Sequence, residues 1–125
     1  DGQESKARSA NRIAGNFDIC FQGWGGDYAD PTTFLDCLLS SHYYNYGKYN
    51  SAEYDQHLAT AATTMDGKVR QDELLAAETV LMQDMPIIVL SYSSVCYLQS
   101  ERLTDVYVSP NGVFDLTFAD FTPAS

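Results

Sequence analysis

Apolar residues recur at helical spacing in two long stretches of the chain. The first covers about residues 51–64, where Tyr54 and Leu58 fall on one face. Asn50, followed three residues later by Glu53, resembles a capping box, in which two side chains satisfy free backbone N–H groups at a helix start. The pattern predicts an amphipathic helix that packs one face on a core.

The second helical stretch covers about residues 68–85. Asp66 is the predicted N-cap, because a short carboxylate side chain can accept hydrogen bonds from the first turn. Pro86 is expected to end the helix. The predicted apolar stripe consists of Leu74, Leu75, Leu81, Met82 and Met85.

Other apolar runs have the patterns of strands. Residues 17–21 alternate with period two, and residues 87–90 are continuously apolar, as expected of a strand buried on both faces. Residues 95–98, 106–108 and 113–121 are further strand candidates. The predicted class is α/β, with mixed strands covered by the two helices.

Shorter elements connect these segments. Residues 4–14 are predicted to be the last turns of a helix, with Gly15 after its end. Residues 32–40 suit a short helix opened by Pro31, and residues 41–49 suit an aromatic loop.

Composition narrows the function. Seven Lys and Arg stand against seventeen Asp and Glu, a net charge of −10. Nucleic-acid binding and an electrostatic hold on anionic lipid are therefore not expected, since both need clustered basic residues. No apolar run approaches the roughly 20 residues of a membrane span.

Carboxylates offer one possible catalytic chemistry. Asp27 with Asp30, or Asp36 with Asp55, could be drawn as the acid and nucleophile of a glycosidase, but the sequence does not give the carboxyl separation that this needs. Solvated surface carboxylates are the preferred interpretation. No nucleophile elbow, Walker loop or dinucleotide fingerprint is present.

The cysteines and histidines do not predict a metal site. Cys20, Cys37 and Cys96 lack metal-ligand spacing, and we expect them to be small buried apolar residues. His42 and His57 each stand alone and are expected at the surface. Metal, cofactor and catalytic residues are accordingly predicted to be absent.

Aromatic residues cluster around loops and do not follow helical spacing. Exposed rings of this kind often line recognition surfaces, because they give a large contact area at low entropic cost. The alternative, a tyrosine-rich loop that packs on its own domain, stays open. The rings belong to Trp24, Tyr28, Tyr43, Tyr44, Tyr46 and Tyr49.

One segment resembles a known family. Residues 23–36, GWGGDYADPTTFLD, are similar to the G-W-x-x-D-Y-x-[DE]-P-x-x-F-L segment of the family 5 extracellular solute-binding proteins, the peptide-binding components of oligopeptide and dipeptide ABC transporters. The resemblance continues through residues 15–19, 45–55 and 81–92.

The resemblance implies part of a two-lobed, periplasmic-binding-protein-like type II fold: a C-terminal lobe fragment with a mixed sheet and flanking helices. Family members are several times longer, and the chain starts at Asp1 without a Met, so we expect the C-terminal portion of a longer protein. Residues 1–95 would belong to the second lobe. Residues 96–125 would form the hinge return and a C-terminal segment associated with the first lobe.

The resemblance also implies a ligand site. Trp24 matches the tryptophan that lines the family's peptide cleft, and Asp27 matches the carboxylate that receives the peptide α-ammonium group. Gly23, Gly25 and Gly26 match backbone that approaches the ligand closely, which a residue without Cβ allows.

Two departures leave the preferred peptide open. Asn45 keeps one of two adjacent asparagines common in the family, and Tyr44 replaces the other. Both are candidate ligand contacts. Residues 91–93 read Ser-Tyr-Ser where many members carry a tyrosine-rich strand.

The function implied by the resemblance is extracytoplasmic binding of oligopeptides for delivery to an ABC transporter permease, without catalysis, by a protein anchored to lipid through a preceding segment. Within the same fold, the alternatives are another solute (a nickel chelate, haem or an oligosaccharide) or a peptide-pheromone sensor. The alternative from another class is a glycosidase or an aromatic carbohydrate-binding module.

Overall fold

The computed structural model describes residues 4–109 and 112–122 of the chain. The chain divides into two compact units, Asp1–Ile88 and Val89–Ser125. The first contains all the helices among the described residues, and the second contains short strands. The helices of the first unit are α1 (Ser5–Ala14), α2 (Thr32–Leu35), a 3₁₀ turn (Asp36–Leu38), α3 (Ala52–Thr63) and α4 (Gly67–Asp84).

The core of the first unit lies between α3 and α4. Each helix contributes three buried residues at spacings that keep them on one face. Leu35, Leu38 and Leu39, from α2 and the 3₁₀ turn, pack against this core from outside. The six core residues are Tyr54, Leu58 and Ala61 of α3 and Leu74, Ala77 and Leu81 of α4.

The predicted stripe on α4 is only partly correct. Leu74 and Leu81 are buried, but Leu75 is 62% exposed, and Ala77 is fully buried. Successive helical residues are rotated by about 100°, so positions 74, 77 and 81 line one face while 75 and 82 turn away from it. The buried alanine lets the two helices approach closely.

The ends of α3 and α4 show how their capping residues act. Asp66 is confirmed as the N-cap of α4: its carboxylate accepts from the backbone N–H groups of Lys68 (2.8 Å) and Val69 (3.1 Å). At α3 the predicted cap is wrong by one residue. Ser51, not Asn50, is the N-cap, because its extended backbone lets the hydroxyl accept from the N–H of Tyr54.

Two further predictions about helix ends are confirmed. Gly15 adopts a left-handed conformation (φ 75°) directly after α1, and its N–H donates to the carbonyl of Arg12. The helix α4 ends at Asp84, and the residue that follows, Met85, is also left-handed and lies immediately before Pro86. No helix in the described ranges is both long and apolar enough to span a membrane.

Three predicted strands are wrong. Residues 17–21, 87–90 and 95–98 form no strand, and their apolar side chains are mostly exposed, with Ile19 at 94% and Ile88 at 74%. A strand exists only through hydrogen bonds to a neighbour, and these segments have no ladder partner within the described residues. Their apolar patterns are typical of strands, but no neighbouring strand among the described residues completes a sheet with them.

The second unit contains two short antiparallel pairs. Strand β1 (Leu103–Thr104) pairs with β4 (Asp120–Phe121), and β2 (Tyr107–Val108) pairs with β3 (Phe114–Asp115). The strand predicted at 106–108 is confirmed for two residues, and the tail at 113–121 contains two short strands. Both strand pairs among the described residues are antiparallel. The prediction of a mixed sheet is therefore wrong for these residues.

Candidate functional site

Thr33, at the start of α2, holds two predicted site residues in place. The indole Nε1 of Trp24 donates to the Thr33 carbonyl at 2.8 Å, and the backbone N–H of Asp27 donates to the Thr33 hydroxyl at 2.9 Å. Thr33 is itself buried. Sequence reasoning missed this residue, although a hydroxyl in the first turn after Pro31 is a recognisable signal.

The Asp27 carboxylate is left available. It is exposed, and no hydrogen bond or ion pair in the described part of the chain engages its oxygens. Its main chain is fixed by Thr33, so the position of the charge is set while its bonding capacity stays open. This arrangement suits an incoming cation.

Asp30 is engaged within the protein. Its Oδ1 accepts from the backbone N–H (3.0 Å) and hydroxyl (2.7 Å) of Thr32 and from Nη2 of Arg70 (2.8 Å). The Arg70 guanidinium, followed by the Thr32 contacts, lowers the pKa of Asp30 to about 2. Asp30 is therefore ionised at neutral pH and unsuited to the general-acid role of a glycosidase.

The other carboxylate pair is also accounted for. Asp55 accepts hydrogen bonds from the backbone N–H and hydroxyl of Ser40. Asp36 is half-buried, and burial raises its pKa. Neither side chain is the fully solvated surface carboxylate that the sequence favoured.

The aromatic residues form a connected cluster centred on Tyr44. Trp24 and Tyr44, twenty positions apart in the sequence, lie with ring centroids 4.7 Å apart. Tyr43 meets Tyr44 edge to face at 5.1 Å, and the Arg12 guanidinium lies 4.8 Å from the Tyr46 ring centre. The rings pack on one another while Tyr43 and Tyr44 stay exposed, so a role of this loop in recognition stays a prediction.

A cavity of about 230 Å³ opens between this cluster and α2. It is smaller than the roughly 300–1,000 Å³ of small-molecule sites, and therefore suits one side chain or terminal group. It brings together Trp24, Asp27 and Tyr44 of the predicted site. The other lining residues are Tyr28, Thr32, Thr33, Asp36, Cys37 and His42.

Asn45, the remaining polar residue of the predicted site, is buried in the loop and does not line the cavity. Its side chain is 3% exposed, donates to the carbonyls of Leu39 (3.1 Å) and Tyr49 (2.7 Å), and accepts from the Tyr49 N–H (3.0 Å). It lies outside the lining of the cavity. Its amide holds the loop that carries Tyr44, and its predicted ligand contact stays a prediction.

The three predicted glycines differ in their surroundings. A Cβ on Gly26 would lie 3.2 Å from the ring of Phe34 and 3.3 Å from Cγ2 of Thr33. Gly26 is therefore needed for close packing on α2. Gly23 and Gly25 face open space, which leaves their backbone accessible.

The histidines are not free surface groups. Nδ1 of His42 accepts from the N–H of Tyr44 at 3.3 Å, and Nδ1 of His57 lies 2.6 Å from Glu73. Both histidines are partly exposed at the surface, but neither stands alone, because each ring has a hydrogen-bonding partner.

The cysteines are less buried than predicted. Cys20 and Cys37 are half-buried and Cys96 is exposed, so the buried role is wrong for Cys96. Burial raises the pKa of Cys37, which lines the cavity. Among the described residues, no group of three or more His, Cys, Asp or Glu side chains could hold a metal ion.

No family model matches the chain. It is 42% identical over 85 residues to the periplasmic murein peptide-binding protein MppA of Escherichia coli, covering 68% of this chain and 16% of that protein. It is 36% identical over 119 residues to the dipeptide-binding protein of Lactococcus lactis subsp. cremoris, and the alignment covers 91% of this chain and 22% of that protein. The chain thus spans about a sixth to a quarter of the relatives that it matches.

Solved structures agree with these relatives. The unliganded open form of MppA aligns with a TM-score of 0.67 at 41% identity, over 69% of this chain and 17% of that one. The substrate-binding domain of an oligopeptide ABC transporter from Bacillus anthracis str. Ames aligns with a TM-score of 0.77 at 29% identity, over 98% of this chain and 24% of that one.

Fold and site together define the class: part of an α/β solute-binding protein of the periplasmic type. Within that class, the chain belongs to the family 5 extracellular solute-binding proteins. The resemblance drawn from the motif at residues 23–36 is confirmed, as is the α/β fold class. The division at residue 95 stays a prediction.

Proposed function

We propose that this chain forms part of the wall of a peptide-binding cleft in an extracytoplasmic protein that delivers peptides to an ABC transporter permease. The observation that carries the proposal is the carboxylate of Asp27, which lies beside Trp24 and Tyr44, has a fixed main chain and has no partner among the residues that the structure describes. The names of the matched relatives, a murein peptide-binding and a dipeptide-binding protein, support the ligand class. The lobe assignment of residues 1–95 and 96–125 and the lipid anchor belong to the same proposal.

Asp27 is proposed to receive the α-ammonium group of the peptide. That group has a pKa of about 7.7–8.0 and is mostly charged at pH 7. A carboxylate whose oxygens have no other partner can form a strong charge-assisted hydrogen bond with it. Trp24 and Tyr44 line the same cavity as Asp27, and aromatic rings there would attract a cation.

The open backbone at Gly23 and Gly25 completes the proposed site. An extended peptide can hydrogen-bond to main-chain groups there, whatever its side chains. Recognition through one terminus and the main chain is independent of peptide sequence. A neutral oligosaccharide carries no cation to pair with the Asp27 carboxylate, whereas a peptide carries its α-ammonium group, so the site favours peptides.

The proposed role is binding without catalysis. The matched relatives are binding proteins, and Asp30 is held in its ionised form by Arg70. No cofactor is invoked, and the proposed partners are the peptide and the permease subunits.

A titration of the chain with alanine tripeptide tests the proposal. Trp24 is the only tryptophan, so its indole N–H gives a single, unambiguous NMR signal at the site. We expect the free tripeptide to shift this signal and the Asp27 amide, and the N-acetylated tripeptide to bind about three- to ten-fold more weakly.

Variants separate charge recognition from general effects. Asp27→Asn should weaken binding of the free tripeptide and abolish the difference between the free and acetylated forms. Asp18→Asn is the matched control, because it removes the same charge from an exposed residue outside the cavity. Equal binding of the two tripeptides to the unsubstituted chain would show that Asp27 is not the ammonium receptor.

A further inference from the structure

An ion pair joins α4 to the loop that precedes α2, residues 23–31, which we call the site loop. Nη2 of Arg70, on α4, donates to Oδ1 of Asp30 at 2.8 Å, across 40 positions of sequence. The side chains are about one-third exposed, 34% for Arg70 and 31% for Asp30. No other ion pair among the described residues connects the Gly23–Asp36 segment to a helix outside it.

Asp30 sits at the point where the site loop turns into α2. Its carbonyl accepts from the N–H of Thr33 at 3.2 Å, while its side chain accepts from Thr32. Thr33 in turn holds the indole of Trp24 and the amide of Asp27. A continuous series of hydrogen bonds therefore runs from Arg70 to the two residues proposed to meet the peptide.

The helix at the other end of this series is held by the core. Arg70 lies one helical turn before Leu74, which is buried between α3 and α4. A side chain that extends from a packed helix makes a fixed reference point for a loop that lacks regular structure.

Charge gives Arg70 a second effect. Burial is the largest cause of the raised pKa of Asp36, and repulsion from Asp30 adds to it, while His42 and Arg70 act in the opposite direction. Without Arg70, the Asp30 carboxylate would lose its ion-pair partner, and the turn that it begins would lose its link to α4.

We propose that Arg70 is a positioning residue for peptide capture: through Asp30 it fixes the turn that presents Asp27 and Trp24 to the ligand. This inference rests on the proposed function for its biological meaning, but the positioning itself is measurable without a ligand. Exposed ion pairs add little to global stability, so the effect is expected in the loop more than in unfolding.

Arg70→Gln tests the inference, with Lys68→Gln as the matched control. Lys68 is also on α4 and pairs with a carboxylate, Asp72, but that pair does not touch the site loop. In the unliganded chain we expect Arg70→Gln to shift the Trp24 indole and Asp27 amide signals and to increase their hydrogen-exchange rates about three- to ten-fold. Lys68→Gln should leave both signals unchanged, and both variants should have similar thermal midpoints.

A conservative variant and a titration complete the design. Arg70→Lys keeps the charge and should restore part of the wild-type signal pattern, and it serves as the readout if Arg70→Gln does not fold. Arg70→Gln should also bind alanine tripeptide about three- to ten-fold more weakly. Unchanged Trp24 and Asp27 signals in folded Arg70→Gln would overturn the inference. If instead the unsubstituted chain fails to bind any peptide, the proposed function fails while the loop signals still decide the role of Arg70.

Discussion

Asp27 and Asp30, three residues apart on one loop, have opposite bonding states. One carboxylate oxygen of Asp30 accepts three hydrogen bonds, whereas the Asp27 oxygens have no partner among the described residues. The difference follows from Arg70 and Thr32, which reach one carboxylate and not the other. One aspartate thus builds the loop, and its neighbour is left for a ligand.

The depressed pKa of Asp30 gives a pH prediction. The Arg70 contact is the largest cause of the value of about 2, so Arg70→Gln should raise this pKa toward the ordinary 3.8. The remaining Thr32 hydrogen bonds should keep it somewhat below that value. Titration of the Asp30 side-chain carbonyl carbon by NMR, in the wild-type chain and in Arg70→Gln, measures the change directly. A midpoint near 2 in the variant would contradict the assigned cause.

The sign of the stability effect follows from the same shift. A carboxylate with a lowered folded-state pKa stabilises the fold above its ordinary pKa, and this contribution disappears as the pH falls through about 2. In Arg70→Gln, whose Asp30 pKa should lie closer to 3.8, little of this contribution should remain at any pH. The difference in stability between the two proteins is therefore expected to be constant above about pH 4 and to disappear as the pH falls from about 4 to about 2.

Sequence motifs identified the site residues unevenly. Trp24 and Asp27 belong to one short motif, and the structure brings them to the same cavity with Tyr44. No sequence pattern pointed to Arg70 as part of the site, because an ion pair across 40 positions depends on how α4 packs beside α2. Asn45 was selected as a possible ligand contact, and the structure shows its amide fully engaged with the loop backbone.

At the scale of elements, the α3–α4 hairpin carries the stability of the first unit. Leu74 is 7% exposed and belongs to the core, while Leu75 is 62% exposed. Leu74→Ala should therefore lower the free energy of unfolding by about 2–5 kcal/mol. Leu75→Ala, the matched control with the same chemical change, should alter it by less than about 1 kcal/mol.

Urea unfolding followed by circular dichroism at 222 nm measures both variants. The helices dominate that signal, so the transition reports on the hairpin. Equal losses at the two positions would mean that the face of α4 packed on α3 is assigned wrongly.

Helices were easier to predict than strands for a physical reason. The hydrogen bonds of a helix lie within its own segment, so capping residues such as Asp66 and Gly15 set its bounds locally. A strand needs a partner, which its own sequence does not supply. Residues 87–90 have a strand's composition but no ladder, whereas β2 and β3 form because Gly112 (φ 80°) lies in the connection between them.

At the scale of the whole molecule, the chain offers a surface more than an enclosed site. The cavity at Trp24 is small, and Asp27 faces solvent. The relatives are four to six times longer than the aligned part, as the shares of 16% to 24% show. A peptide in a two-lobed protein is held from both sides, and closure removes the water that weakens its ionic contacts.

We therefore expect the 125-residue chain alone to bind alanine tripeptide with a dissociation constant of about 1 mM or weaker, near −4 kcal/mol. One wall leaves the Asp27–ammonium pair solvated, and a solvated pair is worth little. In a closed cleft the same pair would be desolvated, and Asp27→Asn would weaken binding roughly 30- to 3,000-fold. Isothermal titration calorimetry of the chain at 100-fold excess of tripeptide, beside the NMR titration, measures the affinity of the chain alone. Micromolar binding by the chain alone would show that this surface suffices without a second wall.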